Sequence, residues 1–170
     1  MNQQSLYFTH YQSPVGALLL AGTPDALHFI SFPTGHKAFG PASNWQKSQA
    51  PFKEVIRQLK AYFDGELTRF QLPYELDGTP FQQKVWQTLP QISYGKTKTY
   101  GWLANEIGSP KASRAVGAAN GNNPLPIILP CHRVIGANGT MTGFGGGIKT
   151  KKFLLKLEGY KFEQEQLSLL

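Results

Sequence analysis

The balance of basic and acidic residues changes at Pro73–Thr79, a segment that contains Pro, Asp and Gly. Six basic and six acidic residues lie at or before Thr79, whereas the remainder holds eleven basic and four acidic residues and so carries the whole net charge of +7. This break predicts two modules, which we place at residues 1–77 and 78–170. A basic module indicates contact with a polyanion such as nucleic acid, although ordinary solubility charge would give the same asymmetry.

Cys131 is the only cysteine among the 170 residues, so the fold must form without disulfide bonds. A zinc site built on two or more thiolates is excluded for the same reason. A chain of this length buries about 70% of its surface on folding, which is enough for an unaided hydrophobic core. The first ten residues lack a signal-peptide pattern, and no apolar run approaches the ~18 residues of a membrane span. We therefore expect a soluble, cytoplasmic protein with no membrane partner.

The N-terminal half begins with the pattern of a β-meander. Alternating apolar residues between turn signals predict strands at Leu6–Gln12, Ala17–Gly22 and Ala26–Phe32. The Gly-, Ser- and Pro-rich segment Thr34–Gln49 is predicted to be a loop. A further short strand is expected near Phe70–Leu72.

Two helices are predicted on either side of the module boundary. Thr79 is a plausible N-cap, Pro80 occupies the first helical position, and Gln82 can complete a capping box. The earlier helix, Pro51–Asp64, is indicated by apolar residues at helical spacing. Those residues are Phe52, Ile56, Leu59 and Phe63.

Two short helices joined by a Gly-Ser-Pro turn form a helix-turn-helix pattern in the basic half. Thr99 caps the first helix, which runs to Ile107, and Ser109 is expected to cap the second, which runs to about Ala119. Most helix pairs of this kind bind nothing, but the basic surroundings favour DNA. The second helix consists mostly of small residues around Arg114, whose long side chain would protrude toward DNA. Tight helix packing is the alternative interpretation.

Cys131 is followed directly by His132 and Arg133, at what the apolar run before it predicts to be a strand end. A lone cysteine is most often an inert buried residue. Neighbouring positive charge instead lowers the pKa of a thiol toward the nucleophilic thiolate, and we expect that effect here. Adjacent side chains in extended backbone point apart, so the dipeptide alone does not establish a catalytic pair.

At this point the chain resembles the O6-alkylguanine-DNA alkyltransferases, also called methylated-DNA–protein-cysteine methyltransferases. The resemblance is in register from Gly78 to about Tyr160 and is vague before that. Its central element is the active-site heptad Leu129–Ile135. The supporting motifs are Thr79–Gln82, Val85–Trp86, Arg114–Gly117, Asn123–Pro124, Gly139–Gly143 and Glu158–Gly159.

The resemblance implies direct-reversal DNA repair, in which an alkyl group moves irreversibly from guanine O6, and from O4-methylthymine, to the protein. It implies that Cys131 is the acceptor thiol and that His132 and Glu158 activate it through a water-bridged network. Asn123 would brace the turn before the active site. No cofactor or metal is implied. The rival hypothesis is a DNA-binding module in which Cys131 is only structural.

The resemblance also implies how the substrate is bound. An alkyl group on O6 points into the base stack, so the base must be flipped out. Tyr100 would help extrude it and donate to guanine N3, while the carbonyls of Cys131 and Val134 would read the guanine amino group. The amide of Gly145 would lie near O6. The implied substrate-binding set is Tyr100, Val134, Phe144, Gly145, Gly146 and Lys151.

DNA would be bound through its minor groove by the helix-turn-helix of a monomeric protein, with Arg114 filling the gap left by the flipped base. The implied DNA-binding set is Arg114, Thr99, Tyr100, Ala112, Ser113, Ala115, Gly117 and Asn120.

Departures from the family pattern carry further expectations. Phe144 stands where many relatives have Tyr, and the small residues Gly145 and Gly146 suggest room for bulkier adducts. The single cysteine removes the zinc sites that some relatives carry and argues against a transcriptional role. The expected fold class is α+β, with a ribonuclease-H-like α/β N-terminal domain around a small antiparallel sheet and a mostly helical C-terminal domain.

Overall fold

The computed structural model describes residues 5–162 and has the expected α+β fold, with a small sheet followed by a mostly helical second half. The strands of the main sheet lie in the order β3-β2-β1-β4. Neighbours β1–β2 and β2–β3 are antiparallel, whereas the edge strand β4 pairs parallel to β1. The strands are β1 (Tyr7–Ser13), β2 (Gly16–Gly22), β3 (Leu27–Ser31), β4 (Gln46–Lys47), β5 (Lys98–Thr99) and β6 (Val134–Ile135). The helices are α1 (Lys53–Phe63), α2 (Pro80–Thr88), α3 (Tyr100–Glu106), α4 (Ser113–Gly121) and α5 (Ile148–Leu157).

The three strands predicted for the meander are confirmed, but two other predictions in this half are wrong. The segment predicted to be a loop contains the short strand β4. Within the described residues no strand forms at Phe70–Leu72; only Tyr74 makes an isolated bridge, to Leu27. The buried side chain of Gln58 explains this, because it accepts from the Gln71 N–H and donates to the Gln71 carbonyl, at 2.9 Å each. A side chain thus takes the hydrogen bonds that a neighbouring strand would have supplied.

Helix α1 begins after a short 3₁₀ turn, Ala50–Phe52, and turns one face into the core. The predicted apolar stripe is largely correct, although Ile56 is only half-buried. The buried face of α1 consists of Val55, Gln58, Leu59, Tyr62 and Phe63.

Helix α2 begins as predicted, with a complete capping box. The Gln82 N–H donates to Thr79 Oγ1 at 3.1 Å, and the Thr79 N–H donates to Gln82 Oε1 at 3.0 Å. Further along, Trp86 Nε1 donates to the Ala119 carbonyl at 2.7 Å and so ties α2 to α4.

The helix-turn-helix is present, but its second helix starts later than predicted. Thr99 caps α3 by accepting from the Trp102 N–H at 3.1 Å, as expected. Ser109 does not cap α4: it begins a separate turn, closed by the Ala112 N–H on the Ser109 carbonyl at 2.9 Å. Helix α4 follows at Ser113, which makes Arg114 its second residue.

A single hydrophobic cluster extends through both halves. It includes Leu18 and Leu59 from the first half and Val85, Leu103 and Leu154 from the second. The two halves therefore share one core, and this fixes the first half against the residues around Cys131. Within residues 5–162, no helix is long and apolar enough to cross a membrane.

Candidate active site

Cys131, His132 and Arg133 form one 3₁₀ turn immediately before β6, rather than the strand end predicted from the sequence. The turn is entered through a bond from the Cys131 N–H to the Leu129 carbonyl at 2.7 Å. Side chains in a 3₁₀ helix diverge by about a third of a turn per residue. The three adjacent residues therefore face different surroundings, and Cys131 is only 4% exposed.

Asn123 holds the loop that leads to Cys131. Its Nδ2 donates to the Leu129 carbonyl at 2.7 Å, and its Oδ1 accepts from the Leu125 N–H at 2.9 Å. These two bonds span the loop, in keeping with the bracing expected of this residue. Within the loop Ile127 has a φ of 76°, a left-handed conformation that is rare for a β-branched residue.

Asn120 lies elsewhere than expected. It was predicted among the DNA-binding residues, but it is only 4% exposed, and its Nδ2 donates to the Cys131 carbonyl at 3.3 Å. Ala119 and Asn120 are the buried residues of the last turn of α4, so the Asn120 side chain supports the active-site turn and does not lie on the exposed face of the helix-turn-helix.

Glu158 is the centre of a buried polar cluster. Its Oε2 accepts from His132 Nε2 at 2.6 Å, from the Tyr62 hydroxyl at 2.6 Å and from Arg133 Nη2 at 3.2 Å. Its Oε1 accepts from Arg133 Nε at 2.8 Å and from the Gly95 N–H at 3.3 Å. Sequence reasoning placed His132 and Glu158 together but missed Tyr62 and the pairing of Arg133.

The cluster fixes the protonation of His132. Burial opposes ionisation of Glu158, but the hydrogen bonds from His132 and Arg133 outweigh it and lower the pKa of Glu158. Burial lowers the pKa of His132, so the imidazole is neutral at neutral pH. A carboxylate only accepts, and Nε2 must therefore carry the proton. The buried Nδ1 is left with its lone pair, and it has no hydrogen-bond partner within residues 5–162.

The pKa of Cys131 does not follow the sequence-based expectation. Burial raises it to about 11, although a hydrogen bond from Asn123 and the positive charge of Lys151 act in the opposite direction. Arg133 does not offset the burial, because its guanidinium is bound to Glu158. The free protein thus holds Cys131 as a thiol, and a base must take its proton before it can react.

Lys151 is completely buried beside the active-site turn. Its Nζ donates to the Val134 carbonyl at 2.7 Å and to the Thr142 carbonyl at 3.4 Å. Burial lowers its pKa to about 8. This residue was expected in the substrate-binding set, but in the structure its ammonium group donates to these two backbone carbonyls.

Cys131 lines a pocket of about 210 Å³ at the junction of the two halves. The second half contributes Asn123, Phe144 and Gly145, and the first half contributes Phe32 and Lys37. An adjoining opening is lined by Tyr100 and Thr142, and it shares Lys37 and Gly145 with the first pocket. The side chains of Tyr100 and Thr142 share a hydrogen bond of 2.6 Å.

The room expected beside the two glycines is occupied by the first half. A Cβ added at Gly145 would lie 3.0 Å from the Cβ of Lys37, and one added at Gly146 would lie 2.6 Å from the Phe32 ring. The Phe32 ring also packs edge-on against Phe144, with centroids 5.4 Å apart. These glycines therefore accommodate the first half of the chain, so they do not by themselves leave space for a larger adduct.

Apart from Asn120, the predicted DNA-binding residues of the helix-turn-helix are exposed or half-buried. Arg114 and Ala115 are exposed at the start of α4, and Ala112, Ser113 and Gly117 are half-buried. Gly117 lies against Tyr100, because a Cβ there would come within 3.8 Å of that ring. Nowhere in the described part of the chain do three or more His, Cys, Asp or Glu side chains come together as a metal site.

Two family models match the chain over nearly all of its described length. Residues 6–76 match the ribonuclease-like domain of 6-O-methylguanine DNA methyltransferase, and residues 80–160 match the DNA-binding domain of the same enzyme. The chain belongs to this methyltransferase family. The family's ribonuclease-like domain contributes Tyr62, Phe32 and Lys37 to the site, and its DNA-binding domain contributes Cys131.

Named members of the methyltransferase family are similar along most of their length. A methylated-DNA–protein-cysteine methyltransferase from Methanosarcina acetivorans is 50% identical over 91% of this chain and 99% of its own. One from Haemophilus influenzae is 46% identical over 91% of this chain and 87% of its own. The crystal structure of Mycobacterium tuberculosis OGT in complex with DNA superimposes with a TM-score of 0.84 at 47% identity, covering 89% of this chain and 92% of that one.

Proposed function

We propose that this protein repairs DNA by direct reversal, as a methylated-DNA–protein-cysteine methyltransferase that moves the methyl group of O6-methylguanine, or of O4-methylthymine, onto Cys131. The observation that carries the proposal is the placement of the only thiol at a pocket, next to a histidine whose Nε2 is held by a buried carboxylate. A cysteine that served only the core would need neither the pocket nor the charged cluster behind the adjacent residue.

The reaction begins with the thiol proton, which passes through a bridging water to Nδ1 of His132. Glu158 stabilises the imidazolium that forms, because its carboxylate already accepts from Nε2. The Cys131 thiolate then attacks the methyl carbon in line with the C–O6 bond. That bond breaks and its electron pair passes to guanine, which takes up a proton at a ring nitrogen while the imidazolium of His132 gives up the proton that it received, so the protons balance.

Guanine leaves readily only if donors offset the negative charge that develops on it. The Tyr100 hydroxyl, at N3, and the Gly145 N–H, at O6, supply these donors in the proposed complex. The product at Cys131 is a thioether, which has no easy route back to a thiol, so each molecule repairs one lesion.

DNA binds through its minor groove against α3 and α4, with the damaged base flipped into the pocket. The exposed Arg114 side chain supports this arrangement, since its neighbours Ser113 and Ala115 are short enough to let it reach the duplex. The protein acts as a monomer, and its location is cytoplasmic.

Intact-mass measurement after incubation with a duplex that contains one O6-methylguanine tests the proposal. Wild-type protein should gain one methyl mass, on the peptide that contains Cys131, and Cys131→Ser should bind the duplex without a mass gain. A wild-type protein that binds but never gains mass would instead be a DNA-binding module.

A further inference from the structure

Tyr62, on α1 of the first half, reaches the catalytic cluster of the second half. Its side chain has no exposed surface, and its hydroxyl lies 2.6 Å from Glu158 Oε2. The ring is clamped by Phe63 and Phe70, whose centroids lie 5.3 and 5.4 Å away. The hydroxyl therefore has a fixed position, and Glu158 is the partner that satisfies it.

We propose that Tyr62 is a positioning residue for the alkyl transfer: its hydroxyl holds the Glu158 carboxylate so that Oε2 faces His132 Nε2. This proposal rests on the function proposed above. It gives the ribonuclease-like half a direct part in the chemistry, through a residue that never touches the substrate.

The two short contacts on Oε2 come from Tyr62 and His132, whereas the contact from Arg133 Nη2 is longer, at 3.2 Å. The shorter bond of Arg133, from Nε at 2.8 Å, goes to the other oxygen, Oε1. Without the tyrosine hydroxyl, the carboxylate could turn toward the guanidinium and loosen its hold on the imidazole. Burial raises the pKa of Tyr62, so this hydroxyl keeps its proton and acts only as a donor here.

Sharing Oε2 also affects how strongly Glu158 attracts the imidazole proton. A carboxylate that turns toward Arg133 attracts the Nε2 proton less, so loss of the Tyr62 hydroxyl should disfavour the imidazolium form of His132. The other ionisable groups facing this cluster are Arg133, Tyr94 and Lys151, and none of them is altered by the change. A purely structural role for Tyr62 would leave the titration of His132 where it is.

The test compares Tyr62→Phe with Tyr94→Phe. Tyr94 is a matched control, because its ring lies 6.3 Å from that of Tyr62, and its hydroxyl bonds only weakly, at 3.4 Å, to the Leu157 carbonyl beside Glu158. Methyl transfer in single-turnover conditions should slow about tenfold in Tyr62→Phe, the size expected for one hydrogen bond to a charged group. Duplex affinity should be unchanged, and Tyr94→Phe should react at nearly the wild-type rate.

Repeating Tyr62→Phe in a Glu158→Gln background should change the rate by less than about twofold, because the carboxylate that Tyr62 positions is gone. Equal rates for the two phenylalanine variants, or an undiminished loss in the Glu158→Gln background, would overturn the proposal. If wild-type protein transfers no methyl group, the proposed function fails instead.

Nitrogen NMR titration of His132 gives a readout that does not depend on activity. The imidazole should titrate at lower pH in Tyr62→Phe than in Tyr94→Phe, and an identical or higher midpoint would contradict the proposal. The carbon shift of the Tyr62 ring next to its hydroxyl should also follow the His132 titration in wild-type protein. This last measurement needs no variant. If the Tyr62 carbon shift and the His132 titration had different midpoints, the proposed coupling of Tyr62 to His132 through Glu158 would be wrong.

Discussion

Lys151 and Val134 are joined inside the protein by a hydrogen bond of 2.7 Å from Nζ to the carbonyl oxygen. This carbonyl and that of Cys131 are the two to which the family resemblance assigns contact with the guanine amino group. A carbonyl oxygen has two lone pairs, so it can accept from the lysine and from the base together. Lys151 therefore fixes the orientation of the Val134 carbonyl, at the cost of burying an ammonium group.

Replacing Lys151 with Met should remove a pH-dependent part of the stability. The unfolded lysine keeps its proton up to a pKa near 10.5, whereas burial lowers the folded value to about 8. Folding releases a proton between these values, so the wild type gains stability as pH rises. Relative to Lys151→Met, the wild type should gain about 2 kcal/mol of unfolding free energy between roughly pH 7 and 9.5. Urea denaturation measures the difference, and the exposed Lys152→Met should show no such trend.

The route of the thiol proton can be read from the pH dependence of the reaction with free O6-benzylguanine. In the wild type, neutral His132 takes the proton, so the rate should be nearly flat above pH ~7. In His132→Gln the thiol must ionise alone. Because burial raises the pKa of Cys131 to about 11, its rate should climb about tenfold per pH unit from roughly pH 7 to 10. Parallel profiles for the two proteins would exclude His132 as the base.

Arg114→Ala should impair repair of duplex DNA and spare the chemistry. Flipping a base costs a few kcal/mol, part of which a guanidinium in the vacated stack can recover. We expect the methylated duplex to react about 10- to 100-fold more slowly, while free O6-benzylguanine reacts at a near-normal rate. Lys111→Ala, which removes an exposed charge just before the same helix, is the control and should lose affinity only. Equal losses on duplex and free base would assign Arg114 to the fold.

Gly146→Ala should destabilise the protein by ~1–3 kcal/mol, because the new methyl group would overlap the Phe32 ring. The smaller side chain of Phe32→Leu should relieve part of this overlap. The double variant should therefore lose less unfolding free energy than the sum of the losses in the two single variants. Gly143→Ala is the control, since nothing lies within 4 Å of its added methyl group. Thermal or urea unfolding measures all four, and strictly additive losses would mean that the two residues do not press on each other.

Affinity for undamaged duplex should fall steeply with salt and depend little on sequence. The second half carries eleven basic residues, and those that lie at its surface would displace counterions on contact with phosphates. We expect dissociation constants of about 10⁻⁴–10⁻⁶ M at physiological salt. Fluorescence anisotropy at several salt concentrations measures the slope, and a dissociation constant that ignores salt would contradict an electrostatic interaction.

Features encoded by neighbouring residues were predictable, and those that depend on the assembled core were not. The caps at Thr79 and Thr99 each involve residues within three positions and formed as expected. The start of α4 was misplaced because Ser109 begins a turn that looks locally like a helix start. Tyr62 is separated from Glu158 by 96 positions, so nothing in its local sequence marks it as a partner of the site. The raised pKa of Cys131 likewise arises from burial, which adjacent charges do not reveal.

The contacts at Gly145 and Gly146 limit how this chain can be recombined with its relatives. Lys37 and Phe32 fill the space that these glycines leave open, so a loop with larger residues at 145 and 146 needs a different first half. A chimera joined near residue 78 to a relative with larger residues at these positions would have clashing contacts between its two halves, even if both parents were fully active. The two halves therefore have to be exchanged together, or a graft of one half must bring with it the residues that contact the other half.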